Sequence, residues 1–257
     1  MMVKQDQKTI EAKEATFFKG YYENKAYNAT GWQLRLKREL RLLQSVKGIK
    51  QFGRVLSVGC GDGEFELLMA PFAEHITALD ISPEAIEIAK RKAIQLGNTN
   101  VDFRCVPLSK ISWDEQFDTV ICLAFLHHVP ESDLPTFLQD VYQHLQPEGF
   151  LYSQDPNMYG ILRKIGRGVC GDSYNKYHTP NERELDPQKL SSLLRQAGFD
   201  SISIIYLDLL LIPTTYILAK GPNWPLYLCS GLDWLWCHSP FARWGSGFAA
   251  ISRKKIS

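Results

Sequence analysis

Strand-like and helix-like segments alternate along the chain from Arg54 to Asp155. Short apolar segments typical of buried strands follow one another, with amphipathic or turn segments between them. They read RVLSV, HITALD, VDFRCV, FDTVICLAF and FLYSQD. Regular alternation of this kind builds a mostly parallel sheet with helices on both faces. The sequence therefore predicts a doubly wound α/β fold, and a length of 257 residues suits one such domain with additions.

The first predicted strand leads into a glycine-rich turn, VGCGDG at residues 58–63, and a helix follows the turn. Glycine lacks a Cβ and tolerates positive φ, so the backbone can approach a ligand closely here. The N-terminus of the following helix offers free N–H groups and a partial positive charge, which suits a carboxylate as well as a phosphate. Asp80 ends the second predicted strand, 21 residues after Gly59, where an acid can accept hydrogen bonds from ribose hydroxyls. The turn and the acid together predict a nucleoside-binding site.

Four segments resemble class I S-adenosylmethionine-dependent methyltransferases, in the order and with the spacing of that family, over about residues 50–205. They are VLSVGCGDG, ALDISPEAIEIAKRKA, FDTVICLAFLHHVP and LQPEGFLYSQDPN. The resemblance implies a Rossmann-like, seven-stranded sheet in which only the last strand is antiparallel. It also implies methyl transfer, with S-adenosyl-L-methionine as the cofactor and S-adenosyl-L-homocysteine as the product.

The same resemblance assigns residues to the cofactor. It puts Gly59, Cys60, Gly61 and Gly63 at the methionine part, Asp80 at the ribose, Ile81, Pro107 and Leu108 at the adenine, and Leu123 near the sulfonium. Two positions depart from the family pattern, since Ser57 stands where an acid is common and Pro107 stands where an acid often bonds the adenine amino group. The adenine is then expected to be held by apolar packing and backbone groups.

Histidines are the candidate catalytic residues. His127 and His128 follow the fourth predicted strand, at the edge where the sulfonium is expected. They suit a general base for an oxygen or acidic carbon acceptor, and capping or packing of the loop is the alternative. His178, after the fifth predicted strand, is a third candidate base, or a solvated loop residue. Residues 124–127 lack the Asn-Pro-Pro-aromatic element common in methyltransferases of planar amines and amides, which disfavours those acceptors.

Tyrosines are the candidate substrate contacts. Tyr21, Tyr22 and Tyr27 precede an amphipathic helix near the N-terminus and can close over the cofactor, although ordinary packing of this segment would explain them as well. Tyr159 lies in the irregular stretch after the fifth predicted strand, which leaves the sheet at the same edge. We therefore expect the acceptor to contact these two segments.

A long apolar segment follows the sixth predicted strand, which spans about residues 201–206. It runs from Leu207 to Gly247 and contains four of the six tryptophans. Three interpretations stay open: a lid over a lipophilic or aromatic acceptor, a contact with a membrane surface, or a dimer face. The stretch from Ile202 to Ala219 is just long enough to span a bilayer, but Asp208 and Pro213 interrupt it, so we expect no transmembrane helix.

Charge and cysteine content limit the kinds of partner and site that we expect. The chain has 29 basic and 28 acidic residues, which disfavours a nucleic-acid partner. The six cysteines form no CxxC pair and no Cys/His metal spacing, so no metal site is expected. The charged N-terminus does not resemble a signal peptide. We expect a cytoplasmic protein, with peripheral membrane contact or dimerisation through the insert as further options.

We treat the chain as one domain with four parts. These are an N-terminal helical cap at 1–48, a cofactor-binding core at 49–206, an apolar insert at 207–247 and a last strand at 248–257. The predicted function is methyl transfer to an oxygen or carbon atom of a small, lipophilic or aromatic acceptor. One alternative is a cofactor-binding protein with no transfer activity or with other chemistry on the same cofactor, and another is a protein or RNA methyltransferase.

Overall fold

The computed structural model describes residues 27–45, 51–107, 115–170 and 182–255. The predictions for Tyr21, Tyr22, Leu108 and His178 concern residues outside these ranges. Seven strands form one sheet. They are β1 (Arg54–Val58), β2 (His75–Asp80), β3 (Val101–Cys105), β4 (Phe117–Leu123), β5 (Leu145–Pro156), β6 (Phe199–Leu207) and β7 (Gly247–Lys254).

Eight α-helices lie within the described ranges. They are α1 (Ala29–Ser45), α2 (Glu64–Met69), α3 (Pro83–Leu96), α4 (Leu134–His144), α5 (Ile161–Cys170), α6 (Pro187–Gln196), α7 (Leu211–Ile217) and α8 (Trp224–Cys237). Local sequence explains how α3 begins and ends. Ser82 accepts a hydrogen bond from the Ala85 N–H, Pro83 occupies the first turn, and Gly97 ends the helix with a φ of 68°.

The strands follow the order β3-β2-β1-β4-β5-β7-β6. Strands β1 to β5 pair in parallel, and β7 pairs antiparallel with both β5 and β6. The predicted mostly parallel seven-stranded sheet with an antiparallel last strand is therefore confirmed. The strand order reverses between β1 and β4, and the carboxyl ends beside such a reversal are where open α/β sheets bind ligands.

Two hydrophobic clusters fill the space on either side of the sheet. Val55 and Ile121 point into the cluster that α1, α2 and α3 cover. Leu56 and Val120 point into the cluster that α4 and α6 cover. Because neighbouring residues of a strand face opposite sides, strands covered on both faces are apolar throughout. This explains why RVLSV shows no polar alternation, and it confirms helices on both faces.

Strand β5 is longer than the sequence indicates. We predict it from Phe150, but it begins at Leu145, which pairs with Phe117. A register shift between Phe117 and Thr119 absorbs the residues between, and Glu148 adopts a φ of 65°. Pro147 and Gly149 therefore lie inside the strand, where local sequence indicates a turn. The bulge explains the difference, since it accommodates residues that do not fit a regular ladder.

Helices α7 and α8 occupy the connection between β6 and β7 and lie beside α1. The Asn28 N–H donates to the Thr215 carbonyl at 2.9 Å, just before α1 begins. A Cβ on Gly31 would overlap the Thr215 side chain, so α1 and α7 are in close contact. The apolar stretch 202–219 is divided between β6 and α7. None of the helices within the described ranges is long and apolar enough to cross a membrane.

Candidate active site

The glycine turn at residues 59–63 leaves the carboxyl end of β1 with three glycines at positive φ. The φ angles of Gly59, Gly61 and Gly63 are 76°, 54° and 74°. Residues other than glycine rarely adopt this region. The N–H groups of Gly59 and Cys60 donate to the Leu79 carbonyl at 2.8 and 2.9 Å, which ties the turn to β2. A Cβ on Gly59 would overlap the Phe125 ring. The backbone conformation of the turn therefore favours glycine at all three positions, and at Gly59 there is also no room for a side chain.

Asp80 lies at the end of β2 and closes the glycine turn. Its Oδ2 accepts from the Gly61 N–H and its Oδ1 accepts from the Ser82 N–H, both at 2.8 Å. Burial raises the pKa of the Asp80 carboxyl, and these backbone hydrogen bonds oppose the rise. Sequence reasoning predicted ribose binding for Asp80, which stays a prediction. The structure adds a role in fixing the turn itself.

Ser57 occupies the position at which the family pattern commonly has an acid, and a buried acid from another element lies beside it. The Ser57 hydroxyl donates to Glu66 Oε1 at 2.6 Å, and Glu66 comes from α2. Glu66 is 2% exposed, and burial raises the pKa of its carboxyl from 4.5 to about 7. Sequence reasoning missed this pair. The available signal was an acid in the first turn of the helix after the glycines.

The remaining predicted cofactor residues lie at the same edge of the sheet. Cys60, Ile81, Pro107 and Leu123 are half-buried and follow or end β1 to β4. Tyr27 precedes α1 and is buried, with its ring centroid 4.8 Å from that of Trp32. Burial and the nearby charges of Glu64 and Asp62 raise the pKa of Tyr27. Tyr27 therefore lies close to the acids around the glycine turn, whereas its predicted substrate contact is untested.

The turn after β4 brings a histidine against a buried acid. Leu126 to His128 form a 3₁₀ turn that follows Ala124, whose φ is 53°. His127 Nδ1 lies 3.0 Å from Asp155 Oδ1 at the end of β5, and the His127 N–H donates to the same oxygen at 3.1 Å. Both side chains are buried, and burial raises the pKa of Asp155 to about 7. This His127–Asp155 pair orients the imidazole.

Two further side chains complete the histidine site. The His128 ring centroid lies 4.0 Å from that of His127. Burial raises the pKa of both Asp80 and Asp155, and the nearby His128 opposes that rise. Glu182 Oε1 lies 3.8 Å from His127 Nε2. Sequence reasoning proposed the two histidines but missed both acids. Asp155 ends a predicted strand as Asp80 does, which was a usable signal, whereas nothing local marks Glu182.

Tyr159 lies in the segment between β5 and α5. Its hydroxyl donates to Asp186 Oδ2 at 3.0 Å, beside the start of α6. That hydrogen bond is the largest cause of a raised pKa for the Tyr159 phenol. Its predicted contact with substrate stays a prediction.

Comparison with known proteins bears on the chemistry of this edge. A family model described as a methyltransferase domain matches residues 55–149, which contain the glycine turn, Asp80 and the two histidines. Residues 55–149 therefore form a methyltransferase domain, and the sheet has the strand arrangement of class I S-adenosylmethionine-dependent methyltransferases. The glycine turn and Asp80 of this methyltransferase therefore stand in the part of the fold that the family model covers.

The methyltransferase is similar to a ubiquinone biosynthesis O-methyltransferase of Bordetella avium, with 27% identity over 175 residues that make up 63% of this chain and 68% of the relative. Magnesium protoporphyrin IX methyltransferase from Synechocystis PCC 6803, solved with bound S-adenosylhomocysteine, superposes with a TM-score of 0.61 at 16% identity, over 88% of this chain and 84% of that one. The cyclase SpnF superposes with a TM-score of 0.56 at 19% identity, over 86% and 81%. The structural likenesses show the shared fold.

Proposed function

We propose that this methyltransferase transfers a methyl group to an oxygen atom of a small, lipophilic or aromatic acceptor. The observation that carries the proposal is the position of the His127–Asp155 pair, at the carboxyl ends of β4 and β5 and close to Phe125, whose ring packs against Gly59. An oxygen nucleophile must lose a proton, and imidazole and carboxylate groups are suited to handle it. The O-methyltransferase named among the relatives has the same reaction type.

The donor is proposed to lie against the glycine turn and Asp80. The positive φ angles of Gly59, Gly61 and Gly63 and the lack of space for a Cβ at Gly59 support a close approach of backbone to ligand. Bound S-adenosylmethionine supplies a methyl carbon on a positively charged sulfur. In the reaction the acceptor O–H bond and the S–CH₃ bond break, an O–CH₃ bond forms, and a proton and S-adenosylhomocysteine are released.

Transfer of a labelled methyl group tests the proposal. The protein is incubated with methyl-labelled S-adenosylmethionine and pairs of aromatic acceptors that differ only in a hydroxyl or an amino group. Label in the methyl ether is the expected result. Label only in the amines, in added RNA or in protein would contradict oxygen transfer. Binding of the cofactor by calorimetry with no transfer to any acceptor would instead favour other chemistry on this cofactor.

We also propose that the exposed apolar side of α8 contacts a membrane surface, which would bring the enzyme to a lipophilic acceptor. Trp224, Trp234 and Leu235 are 69%, 62% and 59% exposed. Tryptophan favours the boundary between headgroups and acyl chains. The exposed charges between residues 209 and 247 are the cations Lys220 and Arg243, since Asp233 is buried. An apolar face with cations beside it suits an anionic lipid surface.

A further inference from the structure

We propose that His127, His128 and Glu182 form a binding site for a divalent transition-metal ion of the zinc type, which binds the acceptor hydroxyl. The proposed role of the ion rests on the oxygen transfer argued above, whereas metal binding itself can be measured without it. The three side chains come from the turn after β4 and from the segment before α6. They meet at the edge of the sheet that also carries the glycine turn.

The distances fit a metal site after small side-chain movements. One potential ligand atom from each of the three residues lies within 4.8 Å of the others, and His127 Nε2 is 3.8 Å from Glu182 Oε1. A tetrahedral ion with bonds of about 2.1 Å holds its ligand atoms about 3.4 Å apart. The widest separation would therefore close by about 1.4 Å. His128 and Glu182 are only partly buried, so rotation of their side chains can provide this movement.

Asp155 holds His127 in the way that carboxylates commonly hold metal-binding histidines. Histidine ligands commonly donate their other ring N–H to a carboxylate, which fixes the tautomer and the ring orientation. His127 Nδ1 lies 3.0 Å from Asp155 Oδ1, and the backbone N–H of His127 holds the same oxygen. With the proton on Nδ1, the free lone pair is on Nε2, which lies 3.8 Å from Glu182 Oε1. The buried pair thus prepares His127 as a ligand.

The donor types select the class of ion. Two imidazoles and one carboxylate are a ligand set of catalytic zinc sites, and they leave a coordination position open. Calcium and magnesium prefer oxygen ligands only, which disfavours both. Within the part of the chain that the structure describes, Arg163 competes for Glu182, since its Nη2 lies 3.8 Å from Glu182 Oε1. Arg163 Nε is also 3.4 Å from Glu184 Oε1, so this arginine keeps an acidic partner when Glu182 turns toward an ion.

At this position a bound ion would act on the acceptor hydroxyl during methyl transfer. The turn that carries His127 and His128 directly follows Phe125, whose ring occupies the space of a Cβ on Gly59, so the metal site adjoins the glycine turn of the predicted cofactor site. An acceptor hydroxyl in the open position would have its pKa lowered by the ion. Its O–H bond would break, the proton would pass to water, and the oxygen would be ready to take the methyl group.

Binding of Co²⁺ and Zn²⁺ to the chelator-treated full chain tests the site directly. Visible absorption of Co²⁺ and calorimetry with Zn²⁺ should show one tightly bound ion for each chain. Glu182→Gln should weaken Zn²⁺ binding at least about 100-fold, and Asp155→Asn about 10- to 100-fold. The matched control is Glu131→Gln, which removes an exposed acid that pairs with Lys189 outside the site and should leave Zn²⁺ affinity unchanged. Absence of binding, or equal affinity in Glu182→Gln, would overturn the proposal.

Activity assays separate failure of the metal site from failure of the proposed function. If the protein binds Zn²⁺ as expected but methylates no hydroxyl acceptor, the metal site stands and the proposed oxygen transfer is wrong. If the chelator-treated protein binds no ion and still methylates hydroxyl acceptors at the full rate, the metal site is wrong and oxygen transfer stands. Loss of hydroxyl methylation on chelation, restored by Zn²⁺ in the wild type but not in Glu182→Gln, supports both.

Discussion

Gly59 is constrained twice, by its backbone and by a neighbouring ring. Its φ of 76° and the Phe125 ring that fills the space of a Cβ both exclude a side chain. We expect Gly59→Ala to lower S-adenosylmethionine affinity at least about tenfold, because either the turn or Phe125 must move. Calorimetry measures the affinity. Gly97→Ala is the control, since Gly97 has a φ of 68° but open space around it, and it should lose stability while keeping affinity.

Glu66 makes stability depend on pH. Its carboxyl has a folded-state pKa of about 7, raised by burial from 4.5. An acid with a raised pKa stabilises the fold fully below its unfolded pKa, and this contribution is lost as pH rises through the folded pKa. We expect the free energy of unfolding to fall by about 3 kcal/mol between about pH 4.5 and pH 7 on account of this group.

Urea unfolding of the wild type and of Glu66→Gln across this pH range measures the effect. Glutamine keeps an oxygen that can accept from Ser57 but cannot ionise. The free energy of unfolding of the wild type should therefore fall relative to that of Glu66→Gln as pH rises. A constant difference from pH 5 to pH 8 would show that Glu66 does not titrate with a raised pKa.

At the scale of the elements, Arg38 connects α1 to the segments around α7 and α8. Its Nη2 lies 2.7 Å from Asp208 Oδ1, and its Nη1 lies 3.9 Å from Asp233 Oδ2. Both acids are buried. We expect Arg38→Ala to destabilise the protein by about 3 kcal/mol or more, because it leaves buried carboxylates without a cation. Chemical denaturation measures the loss.

Arg41→Ala provides the matched control on the same helix. Arg41 is exposed and donates to the Lys37 carbonyl, so its loss should change stability by less than about 0.5 kcal/mol. Equal effects of the two substitutions would contradict a special role for Arg38. The expected contrast also explains how the N-terminal helix and the insert, far apart in sequence, are held together.

At the scale of the whole molecule, the apolar side of α8 leads to a test on lipid vesicles. We expect the protein to co-sediment with vesicles of phosphatidylcholine and phosphatidylglycerol. Replacing Trp224 and Trp234 with serine should weaken binding at least about tenfold, because each tryptophan loses apolar contact with the bilayer. Ile94→Ser is the control, since Ile94 is 80% exposed on α3, outside the insert. A dimer in light scattering that Trp234→Asp dissociates, with no vesicle binding, would favour a dimer face.

Much of the fold could be predicted from local pattern. RVLSV, HITALD and the helix between Ser82 and Gly97 have the bounds that the sequence indicates, because strand hydrophobicity, N-caps and glycine C-caps act over a few residues. The start of β5 could not be predicted in this way. Its pairing with β4 extends it through Pro147 and Gly149, and such pairing depends on a distant strand.

Some residues of the candidate site could likewise be predicted from local sequence, whereas others could not. The glycine turn, Asp80 and the two histidines after β4 could be found in the sequence, because their places at strand ends follow from the alternation of strands and helices. Asp155 against His127, Glu182 beside both histidines and Glu66 beneath Ser57 emerge only when the elements pack. Sequence neighbours share a turn through covalent geometry, whereas partners from different elements meet through strand order, register and side-chain packing, which no local segment encodes.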